Sequence, residues 1–422
     1  MITTVNLLST ASVMKTIGGV LLAIVILLAM VTIHEFGHYI VGKWLGFKIN
    51  EFSVGFGPAI FKKRSKKTGE LFALRIIPLG GYCAFDGEDE DDEPKEEIPV
   101  ATESTDEPFA EIVGEPIMQE TEDVQVRPIT IQEKKEEYPE PKGERFNNQP
   151  PWKRILVLLA GATMNYLLAL GLIVVMFSCF GRPVYQVVKN EPPVTETTSV
   201  QTVEDEEIPT LKTGDVILKI EGKTMYMITD YLDVLDGKEA GDKVDVLLLR
   251  DGKRETVVLT LAADADIQNM SDTSTMLAAL GFEAGEGMTT VTVHENSFVT
   301  VGNSVAYSWK IGGSVLRSLG ELFTGKLSIR SMGGPVTTIT VTAEAASNGI
   351  VSFLNIAAFI GVNLAVFNLL PVPALDGCKV IFCLIEWIRK KPINRKVEAI
   401  IHFAGIIFLF GFAILVDLLQ LF

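Results

Sequence analysis

The richest chemistry in the sequence lies in one pentapeptide, HEFGH at residues 34–38. Residues i and i+4 lie one above the other on a helix, so the imidazoles of His34 and His38 can reach the same metal ion. Zinc takes such ligands, and Glu35 on the neighbouring face can accept a proton from a water molecule that the metal activates. The spacing therefore predicts a helical zinc site with Glu35 as general base.

The surroundings of the pentapeptide favour a metal site over a solvated helix. Residues 16–33 contain no charged side chain, and the next basic residue, Lys43, lies 5 to 9 positions beyond the two histidines. At 1.5 Å per residue, the ionisable groups lie roughly 8–14 Å inside an apolar helix. Each costs about 2–3 kcal/mol or more when unpaired, and a metal ion bound by both imidazoles offsets that cost.

The sequence contains four candidate membrane spans. Three further stretches lack charged residues, and they cover residues 155–181, 345–375 and 399–416. Since a spanning helix needs about 20 apolar residues, we predict transmembrane segments at residues 14–46, 152–181, 346–377 and 397–420. A cleaved signal peptide is the alternative for the first, but no small-residue cleavage site follows it.

A catalytic zinc ion needs a third protein ligand in addition to the two histidines. His294 lies in the outer region and His402 has no obvious partner, so we interpret both as ordinary polar residues. Asp376 ends the third uncharged stretch, directly after Pro371 and Pro373. Its position is compatible with a zinc ligand and equally with a helix cap at the membrane rim, and the spacing alone leaves both open.

The net charge is confined to one segment. The 422 residues include 53 acidic and 37 basic ones, a formal net charge of −16, yet 48% are hydrophobic and the mean hydropathy is +0.31. Residues 86–145 hold 22 of the acidic and 6 of the basic residues, so the remainder is electroneutral. This excludes a broad nucleic-acid-binding surface and predicts a disordered cytoplasmic insertion at residues 86–145.

The distribution of Lys and Arg predicts the orientation of the chain. Basic residues concentrate at 62–67, at 153–154 and at 389–396, which we expect to be cytoplasmic. Both termini and the region between the second and third spans then face outward. The remaining segments are predicted as a membrane-associated β-loop at 48–85, a small soluble α+β domain at 182–300 and an amphipathic juxtamembrane helix at 305–335.

Several motifs together resemble the site-2 protease family of intramembrane zinc metalloproteases, in particular its bacterial group with an extracytoplasmic PDZ domain. These motifs are HEFGH at 34–38, EFSVGFG at 51–57, IPLGGY at 77–82, GATMN at 161–165, GGP at 333–335 and NLLPVPALDG at 368–377. The resemblance implies Zn²⁺ held by His34, His38 and Asp376, with Glu35 as the catalytic residue. It further implies that Asn165 and Asn368 hold the substrate backbone or orient the site.

The resemblance implies a polytopic α-helical protein of the bacterial cell membrane, with about four transmembrane helices, a membrane-associated β-hairpin and one PDZ-like domain outside. It implies cleavage within single-span membrane proteins that another protease has first shortened, such as anti-sigma factors or remnant signal peptides. The PDZ-like domain centres on Gly214 and Asp215, without a clear carboxylate-binding loop, so we expect it to filter substrates by size. The alternative function is a non-proteolytic PDZ membrane scaffold, and neither function involves nucleic acid.

Overall fold

The computed structural model describes residues 10–88, 138–189, 211–262, 280 and 286–421. Most of the acidic insertion predicted at 86–145 lies outside these residues. As predicted, the described part contains four helices that are long and apolar enough to cross a membrane. They are Ile17–Leu45, Pro151–Phe180, Ile350–Asn368 and Arg395–Gln420. The protein is accordingly a membrane protein.

The first two long helices form the centre of the bundle. Helix α1 spans Thr10–Leu45, and helix α2 spans Pro151–Phe180 with a proline at its first position, where no backbone N–H is needed. The two helices approach closely at Gly37, where an added Cβ would lie 2.4 Å from the carbonyl oxygen of Ala160. A larger residue would force α1 away from α2 at the level of the HEFGH pentapeptide.

Strands β1 (Ile49–Arg64) and β2 (Leu71–Phe85) form a small folded sheet after α1. The first half of β1, residues 49–54, pairs with residues 81–85 on one side and with residues 71–74 on the other. The second half of β1 pairs with residues 71–75, so residues 59–64 form one edge of the sheet and residues 81–85 the other. We call this sheet, residues 49–85, the hairpin.

The turn of the hairpin is attached to the end of α1 through Glu70. This carboxylate is only 2% exposed. It accepts hydrogen bonds from Lys43 Nζ at 2.5 Å, from the Tyr39 hydroxyl at 3.0 Å and from the Thr68 hydroxyl at 3.0 Å. Because a buried carboxylate is stable only when it is paired, these bonds fix the turn at the end of α1 that follows the pentapeptide.

The described residues of 182–293 form an α+β unit between α2 and the following helix. We call this unit the outer domain, after the orientation predicted from the sequence. Its strands are β3 (Arg182–Lys189), β4 (Val216–Ile220), β5 (Lys223–Thr224), β6 (Lys243–Arg250), β7 (Lys253–Thr260) and β8 (Glu286–Val293). The sheet order is β7-β6-β4-β3-β8, with β5 paired to β4, and helix α3 (Ile228–Leu235) covers it. Apolar side chains of the sheet and α3 form one core around Tyr231, Ile217 and Leu248.

Two helices connect the outer domain to the third long helix, and their bounds differ from the predicted segment 305–335. Helix α4 spans Ser297–Phe323, capped by the side chain of Asn296. Helix α5 spans Pro335–Ser347, where the sequence predicted no element. The GGP motif therefore begins a helix. Tyr307 and Ile311 of α4 pack into a core shared with the second and third long helices.

The last three helices surround a short loop. Helix α6 spans Ile350–Asn368, α7 spans Asp376–Arg389 and α8 spans Arg395–Leu421. The predicted third span, 346–377, is thus interrupted: its helix ends at Asn368, and Asp376 begins another helix. We call residues 369–375 the ligand loop, because it ends immediately before Asp376.

Candidate metal centre

The structure brings His34, His38 and Asp376 together. Nε2 of His34 lies 3.1 Å from Oδ2 of Asp376, Nε2 of His38 lies 3.3 Å from the same oxygen, and the two Nε2 atoms are 3.1 Å apart. Both imidazoles are buried. Among the described residues, these three form the group of His, Cys, Asp and Glu side chains whose donor atoms converge closely enough to hold a metal ion.

The spacing of the three donor atoms fits a tetrahedral zinc ion. With zinc–ligand bonds of about 2.0–2.1 Å, two ligand atoms of a tetrahedron lie about 3.3–3.4 Å apart. The three measured separations are 3.1–3.3 Å. Oδ2 of Asp376 is buried, and the polar atoms beside it are the two Nε2 atoms themselves. When the lone pairs of all three atoms face one another, a cation between them is needed to stabilise the arrangement. The residues present therefore fit zinc.

The position of Asp376 bears on the two interpretations that the sequence left open. The residue that caps α7 is Leu375, and Asp376 is the first residue within the helix. Its carboxylate lies beside the histidines of α1. The tight turn into α7 requires Gly377, because an added Cβ there would lie 2.4 Å from the carbonyl oxygen of Leu370. The geometry is compatible with a metal ligand at the start of a helix, and the Asp376 side chain is not the cap of α7.

A hydrogen bond to the backbone of α2 determines the tautomer of His38. Nδ1 of His38 lies 2.8 Å from the carbonyl oxygen of Val157. Since a carbonyl only accepts, Nδ1 carries the proton, and the lone pair of Nε2 is left for a metal. The Val157 carbonyl belongs to α2, so the packing of α1 against α2 selects the ligand tautomer of His38.

The two asparagines predicted from the sequence both lie beside His34. The amide nitrogens of Asn165 and Asn368 are each 3.4 Å from Nδ1 of His34. When Nε2 binds a metal, Nδ1 must carry a proton, and it then needs an acceptor. A half-turn of either amide supplies its oxygen as that acceptor, and Oδ1 of Asn165 is buried without another partner among the described residues. One asparagine can thus orient His34.

Two glycines allow neighbouring backbone to approach the site. An added Cβ at Gly161 of α2 would lie 2.4 Å from Nε2 of His38 and 2.7 Å from Cε1 of His34. An added Cβ at Gly81 would lie 3.2 Å from Cγ of Glu35. The edge of the hairpin at residues 81–85 therefore lies beside Glu35. The backbone of Gly161, in the GATMN motif, lies beside both imidazoles.

Comparison with known proteins identifies the family. The sequence profile described as Peptidase family M50, the site-2 protease family, matches residues 22–412. The chain belongs to peptidase family M50. The regulator of sigma-W protease RasP of Bacillus subtilis (strain 168) is 30% identical, over 93% of this chain and 96% of that protein. The zinc metalloprotease RasP of Bacillus licheniformis is 28% identical, over 90% of this chain and 93% of that protein. That of Geobacillus kaustophilus is 26% identical, over 93% and 94%.

The family membership establishes the class of reaction. This M50 peptidase is a metallopeptidase, and its relatives are named zinc metalloproteases. Zinc is therefore its metal, as the sequence predicted.

His402 of this M50 peptidase has a partner that the sequence did not indicate. Its Nδ1 accepts a hydrogen bond of 3.1 Å from the backbone N–H of Ala374 in the ligand loop. The sequence showed no obvious partner for His402, because the contact depends on how α8 packs against a loop. Its one visible signal was a histidine within an uncharged stretch of 18 residues, 399–416.

A second contact missed by the sequence joins α7 to the end of the hairpin. Lys379, one turn beyond Asp376, donates a hydrogen bond of 2.6 Å to Glu88. Glu88 is the last described residue before the acidic segment. Glu88 is consequently held beside the helix that carries Asp376.

Proposed function

We propose that this M50 peptidase is an intramembrane endopeptidase, which cleaves a peptide bond within the transmembrane segment of a single-span membrane protein. In this proposal His34, His38 and Asp376 hold zinc. The observation that carries it is the location of the donor atoms. They converge inside a bundle of apolar helices, on the helix Ile17–Leu45 and at the start of α7, and both imidazoles are buried there.

The roles of the residues follow from their positions. When bound, zinc would supply Lewis-acid chemistry, polarising the substrate carbonyl and making water acidic. The carboxylate of Glu35 accepts the proton of the attacking water and then donates it to the nitrogen of the leaving amine. Val157 holds His38 in its ligand tautomer, and one of Asn165 and Asn368 does the same for His34. The other asparagine is free to bind the substrate backbone.

The edge of the hairpin beside Glu35 suits an extended substrate. Amides within a transmembrane helix are hydrogen-bonded and shielded, so the substrate must unwind locally before cleavage. An unwound segment can then add to a sheet edge as a further strand. Residues 81–85 pair on one side only among the described residues. Glu51 accepts hydrogen bonds from Arg75 at 2.6 Å and from Tyr82 at 2.9 Å, which stiffens the sheet. Burial and the bond to Glu51 raise the pKa of Tyr82.

The active site is proposed to lie near the cytoplasmic side, with the outer domain on the other. Three exposed tryptophans mark where the cytoplasmic surface of the membrane would lie. They are Trp44, Trp152 and Trp387. They lie at helix ends that meet, since Lys153 donates a hydrogen bond to the carbonyl of Leu45 and Arg154 pairs with Glu386, the neighbour of Trp387. Tryptophans concentrate at membrane–water interfaces, and basic residues on the cytoplasmic side. The protein would accordingly be a multi-pass protein of the bacterial plasma membrane.

The substrates are proposed to be anti-sigma factors or remnant signal peptides, first shortened outside the membrane by another protease. The name of the Bacillus subtilis relative, a regulator of sigma-W protease, supports the first class. The outer domain at 182–300 is proposed to be PDZ-like and to exclude substrates with large ectodomains. It packs on the helix bundle through Tyr226, which shares a core with Tyr307 of α4.

The test of the function is the variant Glu35→Gln in cells that carry a tagged single-span substrate. We expect cleavage to fall by a factor of about 10² or more, since the general base is lost, while zinc content stays unchanged. Glu344→Gln, an exposed glutamate of α5, is the matched control and should cleave normally. Undiminished cleavage by Glu35→Gln would favour the alternative function, a non-proteolytic scaffold.

Metal analysis separates the ligand role of Asp376 from a structural one. We expect Asp376→Ala to lose bound zinc. Full zinc occupancy in that variant would remove Asp376 from the ligand set.

A further inference from the structure

The edge of the hairpin that faces away from Glu35 carries a dense positive charge. Between residues 52 and 85 the sequence contains six basic residues and a single acidic one, Glu70. Glu70 is buried and bonded to Lys43, so it does not neutralise the surface. Five of the basic side chains are exposed on the turn, and they are Lys62, Lys63, Arg64, Lys66 and Lys67.

The basic side chains border a cleft with aromatic walls. The cleft has a volume of about 730 Å³. Phe61, Phe72 and Tyr138 line it. Four of the basic side chains line it as well, namely Lys62, Lys63, Arg64 and Lys66. The guanidinium of Arg64 lies 6.0 Å from the centre of the Tyr138 ring. A cleft of this kind offers charge to a phosphate group and apolar surface to the groups attached to it.

Exposed apolar side chains lie on the hairpin near the cleft and at the end of α1 that holds the turn. Ile60 is 67% exposed and Ile76 is 60% exposed. Trp44, which follows the lysine bonded to Glu70, is 80% exposed. Apolar side chains next to basic ones are typical of surfaces that lie in the headgroup region of a bilayer. The turn is at the same end of α1 as the proposed membrane surface.

We propose that the basic turn, residues 61–67, binds the headgroups of anionic phospholipids, with a lipid phosphate in the cleft and Ile60, Ile76 and Trp44 in the headgroup region. The two edges of the hairpin belong to one small sheet. A lipid bound at residues 59–64 therefore sets the position of residues 81–85 beside Glu35. The proposal concerns lipid binding and stands independently of the proposed endopeptidase activity.

The acidic segment of this chain, residues 89–137, is the competing occupant. It contains 18 acidic and 4 basic residues, and it ends directly before Tyr138 in the wall of the cleft. Its negative charge is complementary to the basic turn, but acidic side chains would not cover the exposed apolar side chains of Ile60, Ile76 and Trp44. The apolar flank therefore favours lipid, and the segment is an outcome of the test below.

The test measures how far brominated lipids quench the fluorescence of Trp44 in the full-length protein in detergent micelles. Trp152, Trp309 and Trp387 are replaced by Phe, so that Trp44 is the single reporter. Phosphatidylglycerol or phosphatidylcholine with brominated acyl chains is added. We expect phosphatidylglycerol to quench Trp44 at a lower concentration than phosphatidylcholine does. This preference for the anionic lipid should fall at high salt, because salt screens the charges. The quadruple variant Lys62→Gln, Lys63→Gln, Arg64→Gln, Lys66→Gln should reduce the preference for phosphatidylglycerol by at least about tenfold. Four basic residues at roughly fivefold each set an upper limit of several hundredfold.

The matched control removes the same charge elsewhere. It replaces four exposed lysines of the outer domain by Gln, at Lys219, Lys223, Lys243 and Lys253, and should retain the preference. Zinc content verifies that each variant is folded. Equal quenching by the two lipids, or a preference that the quadruple variant keeps, would overturn the proposal. A preference that appears only after deletion of residues 89–137 would identify the acidic segment as the occupant and would overturn it too.

Discussion

The backbone N–H of Ala374 donates a hydrogen bond of 3.1 Å to Nδ1 of His402, and this bond ties the fourth long helix to the ligand loop. Ala374 has φ +77°, a left-handed conformation that costs energy in a residue with a side chain. Three residues further along α8, Gly405 allows close contact, since an added Cβ would lie 2.4 Å from Pro373. Helix α8 therefore holds the strained end of the loop two residues before Asp376.

We expect His402→Ala to weaken zinc binding by about 10–100-fold, the usual cost of losing a residue that positions a ligand. His402→Asn should restore much of the affinity, because its amide oxygen can accept the same N–H. Zinc affinity is measured by competition with a chelator. His294→Ala, in the outer region, is the control. Wild-type affinity in His402→Ala would show that the loop holds Asp376 without α8.

Gly161 offers a second test of the metal centre. Gly161→Ala places a Cβ at 2.4 Å from Nε2 of His38, which is shorter than any van der Waals contact, so the imidazole or α2 must move. A displacement of about 1 Å at reacting groups costs on the order of 10²-fold in rate. We expect a loss of this size in cleavage, with weaker zinc binding.

The control for this variant lies on the same helix. Gly171→Ala has nothing within 4 Å of the new Cβ and should cleave normally, or be slightly more stable, since Ala favours helix over Gly. Equal activity of the two variants would place Gly161 outside the site.

The acceptor for His34 is tested at Asn165. Asn165→Asp keeps an oxygen beside Nδ1 of His34 and should retain zinc, because a carboxylate is a good acceptor for the imidazole of a metal ligand. Asn165→Leu removes the oxygen, and we expect zinc affinity to fall by about 10–100-fold. Affinity is measured with the same chelator. Should Asn165→Leu bind zinc normally, Asn368 would be the residue that orients His34.

The sequence was sufficient for the part of the site that is local. His34 and His38 meet because they are one helical turn apart, and an uncharged stretch made the helix predictable. Asp376 lies 342 positions beyond His34, so its side chain meets the histidines only through the packing of α7 against α1 and α2. No periodicity reports such a contact, which is why ligand and cap stayed open.

Helix α5 could not be predicted from the local sequence. Residues 336–342 read VTTITVT, rich in β-branched residues that disfavour helix. Two tertiary contacts stabilise the helix. Asp417 of α8 accepts a hydrogen bond of 3.1 Å from the N–H of Val336. Gly19 of α1 lets Ala343 approach, since an added Cβ would lie 2.8 Å from its carbonyl oxygen. Propensity is overridden by these distant partners.

A buried ion pair joins Arg154 of α2 to Glu386 of α7, near the end of α7 that lies opposite Asp376. The side chains are 5% and 4% exposed. Glu386 also pairs with Arg395 at 3.0 Å and accepts a bond from the N–H of Ile393. Arg154 has no other partner for its Nε and Nη1 atoms among the described residues. The charge of Arg154 therefore depends on Glu386, whereas Glu386 has a second cation.

This asymmetry predicts unequal effects of removing the two partners. Glu386→Leu leaves Arg154 buried and unpaired and should destabilise the protein by about 3–5 kcal/mol. Arg154→Met should cost less, because Arg395 still neutralises Glu386. The double variant should recover much of the loss, since an apolar pair of similar volume replaces the buried charges. Thermal unfolding in detergent micelles measures all three. Strictly additive losses in the double variant would contradict the coupling and would assign the stability of α7 to its apolar contacts alone.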